Sequence, residues 1–147
     1  MRSLLLAAAA ALALALPAQA QLAIGGQIGD PTGLSVKAGA GPGALLLAVG
    51  WDLGDAISAE GHYVLSNRRV QGADAALSLF YGPGVFVKAR DEGRNGDDVS
   101  AGLSLGVGLE AGLTRDIEVY GLVSPRVRLV EDTGFELGGG IGLRLRL

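Results

Sequence analysis

The sequence predicts an all-β fold, an eight-stranded antiparallel up-and-down transmembrane β-barrel that follows a cleaved signal peptide. Three observations support this prediction. Apolar residues recur with a period of two along most of the chain, and no window repeats every 3.6 residues. The longest alternating segment runs for fifteen residues, whereas soluble strands are most often ~5–6 residues long. The other face of these segments is mostly glycine and serine, where a soluble protein would carry charges.

The first twenty residues form a separate segment. Arg2 precedes a run of thirteen apolar residues, and Ala18 and Ala20 match an A-x-A cleavage site. The run is shorter than the ~20 residues that a membrane-spanning helix requires. We therefore expect cleavage before Gln21. The predicted regions are a signal peptide over residues 1–20 and an outer-membrane β-barrel domain over residues 21–147.

Composition excludes several classes of function. The chain has 147 residues, which suits one domain, and it contains 25 glycines but no cysteine. Without cysteine there can be no disulfide, no thiol catalysis and no lipoprotein anchor. The formal net charge is −3 and basic residues are scattered, so the sequence carries no nucleic-acid footprint. We expect no cofactor, no metal and no nucleic-acid partner.

The first four predicted strands end at turns of the kind that separate antiparallel strands. They are residues 22–29, 33–39, 44–52 and 56–66. Asp30-Pro31-Thr32 ends the first, the sequence AGPG ends the second, and the polar stretch NRRVQGAD closes the fourth. One face of the third strand is wholly apolar and comprises Leu45, Leu47, Val49 and Trp51.

The last four predicted strands are longer and alternate more regularly. They are residues 76–89, 99–113, 117–130 and 134–147, with the charged loop RDEGRNGD over residues 90–97. In VSAGLSLGVGLEAGL (99–113) every odd position is aliphatic and every even position is small or polar. Pro83 and Pro125 fall inside strands, and because proline cannot donate a ladder hydrogen bond, we expect an outward-facing bulge at each.

Two architectures fit eight antiparallel strands. A soluble sandwich or lipocalin-like barrel would turn the apolar face inward, whereas a membrane barrel would turn it toward lipid. Strand length favours the membrane barrel, because a tilted membrane strand needs ~9–11 residues. Glycine and serine on the polar face also suit a narrow lumen. Candidates for aromatic girdles at the lipid interfaces are Trp51, Tyr63, Tyr81 and Phe135.

The predicted inward face carries charges of both signs. Because isolated buried charges are costly, we expect these side chains to form ion pairs that largely plug the lumen. Glu110 is the single charge in the strand at 99–113, and we expect it to pair with Arg126 or Arg144. The predicted lumen charge network comprises Lys37, Glu60, Lys88, Glu110, Glu118, Arg126, Arg128, Glu136, Arg144 and Arg146. Those nearest the strand ends, where bulk water could solvate them, are Lys88, Arg128 and Arg146.

One weak catalytic candidate stands beside this network. Glu60, His62 and Ser66 share one face of the predicted fourth strand, so a Ser–His–acid arrangement is geometrically possible. The sequence has no G-x-S-x-G motif and no recognisable oxyanion hole. We therefore expect no enzyme, with a lipid A-modifying hydrolase or acyltransferase as the enzymatic alternative.

The sequence also resembles a known family over nearly its whole length after the leader. The opening hairpin, with the core GDPTGLSVK, the charged loop before 99–113 and the glycine-rich last strand resemble small bacterial outer-membrane β-barrel proteins of OmpA/OmpX-like size. This resemblance implies a Gram-negative outer-membrane location, with outer-membrane lipid and the assembly machinery as partners. The chain departs from the family at Leu147, where such strands usually end on an aromatic residue.

The expected function is that of an integral outer-membrane barrel with a structural, envelope or interaction role. We expect a monomer whose lumen is largely plugged by polar and charged side chains. Two alternatives remain open at this stage: a narrow pore for small solutes, and the lipid A-modifying enzyme.

Overall fold

A computed structural model describes residues 21–51, 56–69, 77–91 and 97–147. The predicted signal peptide and most of the predicted charged loop lie outside these residues. None of the described residues belongs to a helix long and apolar enough to cross a membrane.

The described residues form nine antiparallel strands in one sheet. The strands are β1 (Leu22–Asp30), β2 (Gly33–Ala40), β3 (Gly43–Trp51), β4 (Ala56–Val64), β5 (Ser66–Arg69), β6 (Leu77–Asp91), β7 (Asp97–Gly112), β8 (Ile117–Arg128) and β9 (Gly134–Arg146). β1 pairs with β9, and β4 pairs with both β3 and β6, so the sheet closes on itself. β4 and β5 lie end to end along β6 and together occupy one position in the wall. The predicted eight-stranded, up-and-down antiparallel barrel is confirmed.

The fourth predicted strand differs most from the expectation. It divides at Leu65 into β4 and β5, and β5 extends into the polar stretch that was expected to close the strand. His62 pairs with Gly84, but Ser66 pairs with Tyr81, so three residues on this side face two on β6. The extra residue is a β-bulge, and the Leu65 N–H donates to the Tyr81 carbonyl at 3.1 Å.

The two strand prolines behave differently from the expectation and from each other. The bulge lies opposite Pro83, but on the neighbouring strand. The bulge predicted at Pro125 is wrong, because Pro125 pairs with Leu137 in an unbroken register with β9. On the other side of β8, Ser104 of β7 pairs with Arg126 and Val107 pairs with Val123, but the two residues between them on each strand are unpaired in this ladder. The register is the same before and after this gap. The missing proline donor therefore interrupts the ladder on the β7 side only.

The wall has an apolar outer face and a mixed polar inner face. In β7, Leu103 and Leu105 are 56% and 47% exposed on the outside, whereas Ser104 and Glu110 are buried inside. Outward positions carry only Ala, Val, Leu, Ile, Phe, Trp, Tyr, Pro and Gly over the segments 22–28, 34–40, 45–51, 57–63, 77–89, 99–111, 117–127 and 135–145. The alternation therefore sorts side chains by chemistry over these segments of β1–β4 and β6–β9. In β5, Ser66 and Arg68 occupy the positions paired with the outward-facing Tyr81 and Leu79.

Candidate functional site: the barrel lumen

The lumen contains two groups of charged side chains at different heights. The Arg126 cluster comprises Asp30, Glu60, Lys88, Arg126 and Glu136. It lies toward the end of the barrel at which β1 finishes, called the Asp30 end below. The Glu118 cluster comprises Lys37, Glu110, Glu118, Arg144 and Arg146. It lies toward the opposite end, at which β9 finishes, called the Leu147 end below. Along β8 the inward residues run from Glu118 through Tyr120, Leu122 and Ser124 to Arg126, so apolar side chains separate the clusters.

Arg126 is the centre of the first cluster. Its guanidinium is 2% exposed, and its Nη2 donates to Glu60 Oε2 at 2.5 Å while Nε donates to Glu60 Oε1 at 3.2 Å. The remaining nitrogen, Nη1, donates to Asp30 Oδ2 at 3.1 Å, and Nη2 also donates to the Asp30 carbonyl at 2.7 Å. The paired, two-pronged contact with Glu60 is the strong form of an arginine–carboxylate bond. Because Asp30, Glu60 and Arg126 belong to β1, β4 and β8, these bonds cross the lumen.

Other side chains complete the surroundings of Arg126. The guanidinium carbon lies 5.3 Å from the Phe86 ring centroid, a cation–π distance. Glu136 Oε1 is 3.6 Å from Arg126 Nη1, and Lys88 Nζ is 3.7 Å from Asp30 Oδ2. Positive and negative groups therefore alternate across this end of the barrel.

His62 lies beside Glu60 and two serines. Its Nε2 is 3.3 Å from Glu60 Oε1, 3.1 Å from Ser104 Oγ and 3.3 Å from Ser124 Oγ. Ser124 also donates a short hydrogen bond to Glu60. Space for the imidazole comes from Gly106, where a Cβ atom would lie 2.8 Å from His62 Cδ2.

This grouping differs from a catalytic triad in two ways. In a triad the acid holds one ring nitrogen and the nucleophile uses the other, but here the acid and both hydroxyls converge on Nε2. His62 is 2% exposed and Ser124 is 0% exposed, so neither side chain is accessible to solvent in the described part of the structure. Unbroken alternation along the sequence predicts that Ser66 shares this face, but the bulge at Leu65 interrupts the alternation. Its side chain lies outside the described part of the structure.

The Glu118 cluster is built around two carboxylates. Lys37 Nζ donates to both oxygens of Glu110, at 2.8 and 2.7 Å, and lies 3.7 Å from Glu118 Oε1. Glu118 is 1% exposed and accepts from Arg144 Nη1 at 3.3 Å and from Arg146 Nε at 3.0 Å. The structure therefore brings Glu110 to Lys37, whereas Arg126 and Arg144, its expected partners, bind Glu60 and Glu118.

Arg144 links this cluster to the middle of the lumen. Its Nε donates to Ser35 Oγ at 3.0 Å, and its guanidinium carbon stacks 3.5 Å from the Tyr120 ring centroid. The Tyr120 hydroxyl donates to Gln27 Oε1, and Gln27 Nε2 donates to the Pro31 carbonyl, both at 2.7 Å. Buried polar groups in this region therefore have partners, as a narrow interior requires.

A buried apolar layer lies between the clusters. It comprises Leu46, Val64, Phe80, Tyr120 and Leu122. The Arg126 cluster and His62 lie between this layer and the Asp30 end, and Arg126, Glu60 and His62 are each at most 4% exposed. No charged side chain belongs to the layer.

A cavity of about 900 Å³ occupies the other part of the lumen and opens at the Leu147 end. One side is apolar and is formed by Leu46, Val64 and Phe80. The opposite side is charged and is formed by Lys37, Glu110, Glu118 and Arg146. Small residues at other lining positions, such as Ala23, Ala44 and Gly112, leave the space open.

Sequence reasoning and the structure place the interior residues differently in a few cases. The ten predicted residues divide into the two clusters, except Arg128, whose Nε has no hydrogen-bond partner among the described atoms. Sequence reasoning missed Asp30, which it assigned only to a turn, and it missed the neutral partners that satisfy the charges. These neutral partners are Gln27, Ser35, Ser104, Tyr120 and Ser124. Their inward parity on predicted strands was the available signal.

Comparisons of the chain with protein-family models, with curated proteins and with solved structures gave no match. The fold and the interior define the class directly: a small, closed, eight-stranded antiparallel β-barrel with an apolar exterior and a charged, hydrogen-bonded interior.

Proposed function

We propose that this protein is an integral outer-membrane β-barrel with a structural role in the cell envelope, and that its lumen is closed by its own side chains. The observation that carries the proposal is the apolar outer face of the eight longer strands, β1–β4 and β6–β9, which is unbroken over the segments given above. A soluble barrel turns its apolar face inward, whereas a membrane barrel turns it toward lipid. This chain has the membrane-type arrangement: Ile28 and Ile141 are 79% and 70% exposed on the outside, whereas Arg126 is buried inside.

The size of the apolar surface supports the proposal. Soluble monomers rarely expose a contiguous apolar patch beyond ~300–600 Å². The outward side chains here surround the barrel, and burial in lipid would stabilise them by about 25 cal/mol per Å² of apolar surface. In water the same surface would promote aggregation.

Closure of the sheet also supports a membrane location. Hydrocarbon offers no hydrogen-bond partners, so a spanning sheet must leave no unpaired edge. The β1–β9 and β4–β6 pairings supply that closure. A soluble protein could tolerate an open edge by charging or covering it.

Aromatic residues are distributed toward both ends of the apolar face. Trp51 and Phe135 are exposed near the Asp30 end, and Tyr63 and Tyr81 lie in the half nearer the Leu147 end. The Tyr63 hydroxyl donates to the Ala40 carbonyl at 3.0 Å, close to the β2–β3 turn. Such positions suit the two lipid–water interfaces of an outer-membrane barrel.

The interior favours a structural role over conduction or chemistry. The apolar layer and the Arg126 cluster cross the lumen, so a continuous water path would require these contacts to open. Among the described residues, the His–Ser–acid grouping is sealed from substrate. We propose a monomer that reaches the outer membrane of a Gram-negative cell through its signal peptide and the assembly machinery, with outer-membrane lipid as its main partner.

Cell fractionation tests this proposal. The full chain is produced in a Gram-negative host, and the inner membrane, outer membrane and periplasm are separated. We expect the protein in the outer membrane, extractable only with detergent, and migrating differently on gels before and after boiling. Recovery from the periplasm without detergent would overturn the proposal.

A further inference from the structure

We propose that the cavity at the Leu147 end binds a single-chain anionic amphiphile, a molecule with one apolar chain and one negatively charged head group. Ligand binding would be a function in addition to the structural role. It requires the closed barrel but does not require that the barrel lie in a membrane. Its basis is the shape of the cavity, its two-sided chemistry and the arrangement of hydrogen-bond donors along its charged side.

The size and apolar side of the cavity suit an alkyl chain. Its volume of about 900 Å³ lies within the ~300–1,000 Å³ range of small-molecule sites. Leu46, Val64 and Phe80 line the cavity and belong to the buried apolar layer, so this part of the cavity wall is apolar. An alkyl chain entering from the Leu147 end would bury its surface against this layer and displace water from it.

The carboxylates on the charged side of the cavity are paired with cations of the protein. The two Glu118 oxygens already accept from Arg144 and Arg146, and both Glu110 oxygens accept from Lys37. The carboxylates are thus committed to cations of the protein itself.

The cations nearer the opening are less enclosed. The Arg146 side chain is 46% exposed, although its Nε bonds Glu118 and its Nη1 lies 3.4 Å from the Arg115 carbonyl. Arg115 is exposed in the β7–β8 turn and also lines the cavity. A head group placed between Arg115 and Arg146 would therefore meet guanidinium donors, which favour an anion over a cation.

Calorimetric titration with a short, soluble amphiphile tests the proposal. Exported protein is reconstituted into phosphatidylcholine nanodiscs and titrated with octanoate, octan-1-ol and octylamine, and heats from empty nanodiscs are subtracted. We expect one octanoate per chain, bound roughly tenfold or more tightly than either of the other two, because a charge-assisted hydrogen bond contributes ~1.5–3 kcal/mol. Equal binding of the three probes, or no saturable octanoate binding, would overturn the proposal.

Two pairs of variants locate the site. Ala44→Phe places a ring in the apolar part of the cavity, beside its register partner Val64, and should weaken octanoate binding about tenfold or more, whereas Ala59→Phe adds the same group on the outer face and should leave binding unchanged. Arg146→Gln should weaken octanoate binding about tenfold without affecting octan-1-ol, whereas Arg128→Gln removes an arginine at the other end and should leave both unchanged. Unaltered octanoate binding in both Ala44→Phe and Arg146→Gln would contradict the assignment.

The outcome is separable from that of the proposed function. Reconstitution and heat-modifiable migration report on the membrane barrel, and the titration reports on the cavity. If the protein proves soluble, the same titration is performed in buffer. A correctly folded membrane barrel that fails to bind octanoate would refute the amphiphile site and leave the structural role standing.

Discussion

The two ends of the lumen are built from the same alternating strands but differ in how completely side chains fill them. Near the Asp30 end, Arg126, His62 and Phe86 are large and almost wholly buried, and they interlock with Glu60 and Ser124. Near the Leu147 end, alanine and glycine occupy several inward positions, and a cavity remains beside the ion pairs. The size of inward residues thus decides whether a narrow barrel is closed by packing or keeps a chamber.

The difference also separates two kinds of ion pair. Glu60 and Arg126 are each sealed from water, so removing one partner would leave an uncompensated buried charge. Glu118 is equally buried, but three cations surround it and one of them, Arg146, reaches solvent. Loss of a single cation there leaves the carboxylate compensated.

The largest expected effect follows from this contrast. Arg126→Ala should lower the free energy of unfolding by about 3–5 kcal/mol, because Glu60 loses its principal partner inside the barrel. Arg146→Ala should cost no more than about 1 kcal/mol, because it is half-exposed and Glu118 keeps Arg144 and Lys37. Urea unfolding in phospholipid vesicles, followed by tryptophan fluorescence, measures both. Equal losses would show that the two ends do not differ in this way.

A smaller effect is expected from matched glycine substitutions. Gly106→Ala places a methyl group 2.8 Å from His62 Cδ2 and should cost about 1–3 kcal/mol through overpacking. Gly112→Ala, in the same strand, meets its nearest neighbour, the Thr114 carbonyl, at 3.6 Å, an ordinary contact. We expect it to be within about 0.5 kcal/mol of the parent protein. The same unfolding assay compares them, and a tolerated Gly106→Ala would mean that the sealed end is not tightly packed.

No effect is expected on lipid chemistry. Because the acid and the serine hydroxyls share one nitrogen of a buried imidazole, His62 should support packing rather than catalysis. Mass spectrometry should give identical lipid A spectra for cells with the parent protein, cells without it and cells with the His62→Ala variant. A modification present only with the parent protein and lost in His62→Ala would establish an enzyme.

The faces of the long strands were predictable, because alternation along one strand needs no knowledge of its neighbours. β7 shows this: its aliphatic odd positions and small or polar even positions lie outside and inside as the sequence predicts. The bulge at Leu65 was not predictable, because it depends on the register between β4, β5 and β6.

Ion-pair partners were the least predictable part of the interior. Inward facing follows from parity, but which side chains meet across the lumen depends on the heights that the strand stagger sets. Glu110 was expected near Arg126 or Arg144, and the stagger brings it to Lys37. Asp30 was assigned only to a turn, although as the last residue of β1 it points a carboxylate at Arg126.

We propose that lipid contacts the odd face of β7, while the even face points into the barrel. The chain contains no cysteine, so single cysteines can be introduced at each position from Leu103 to Glu110 and labelled with a nitroxide. In vesicles, collision with oxygen, which concentrates in lipid, should rise at every odd position and fall at every even one. A water-soluble nickel chelate reaching the odd positions, with no period of two in the oxygen signal, would show that lipid does not cover the odd face of β7.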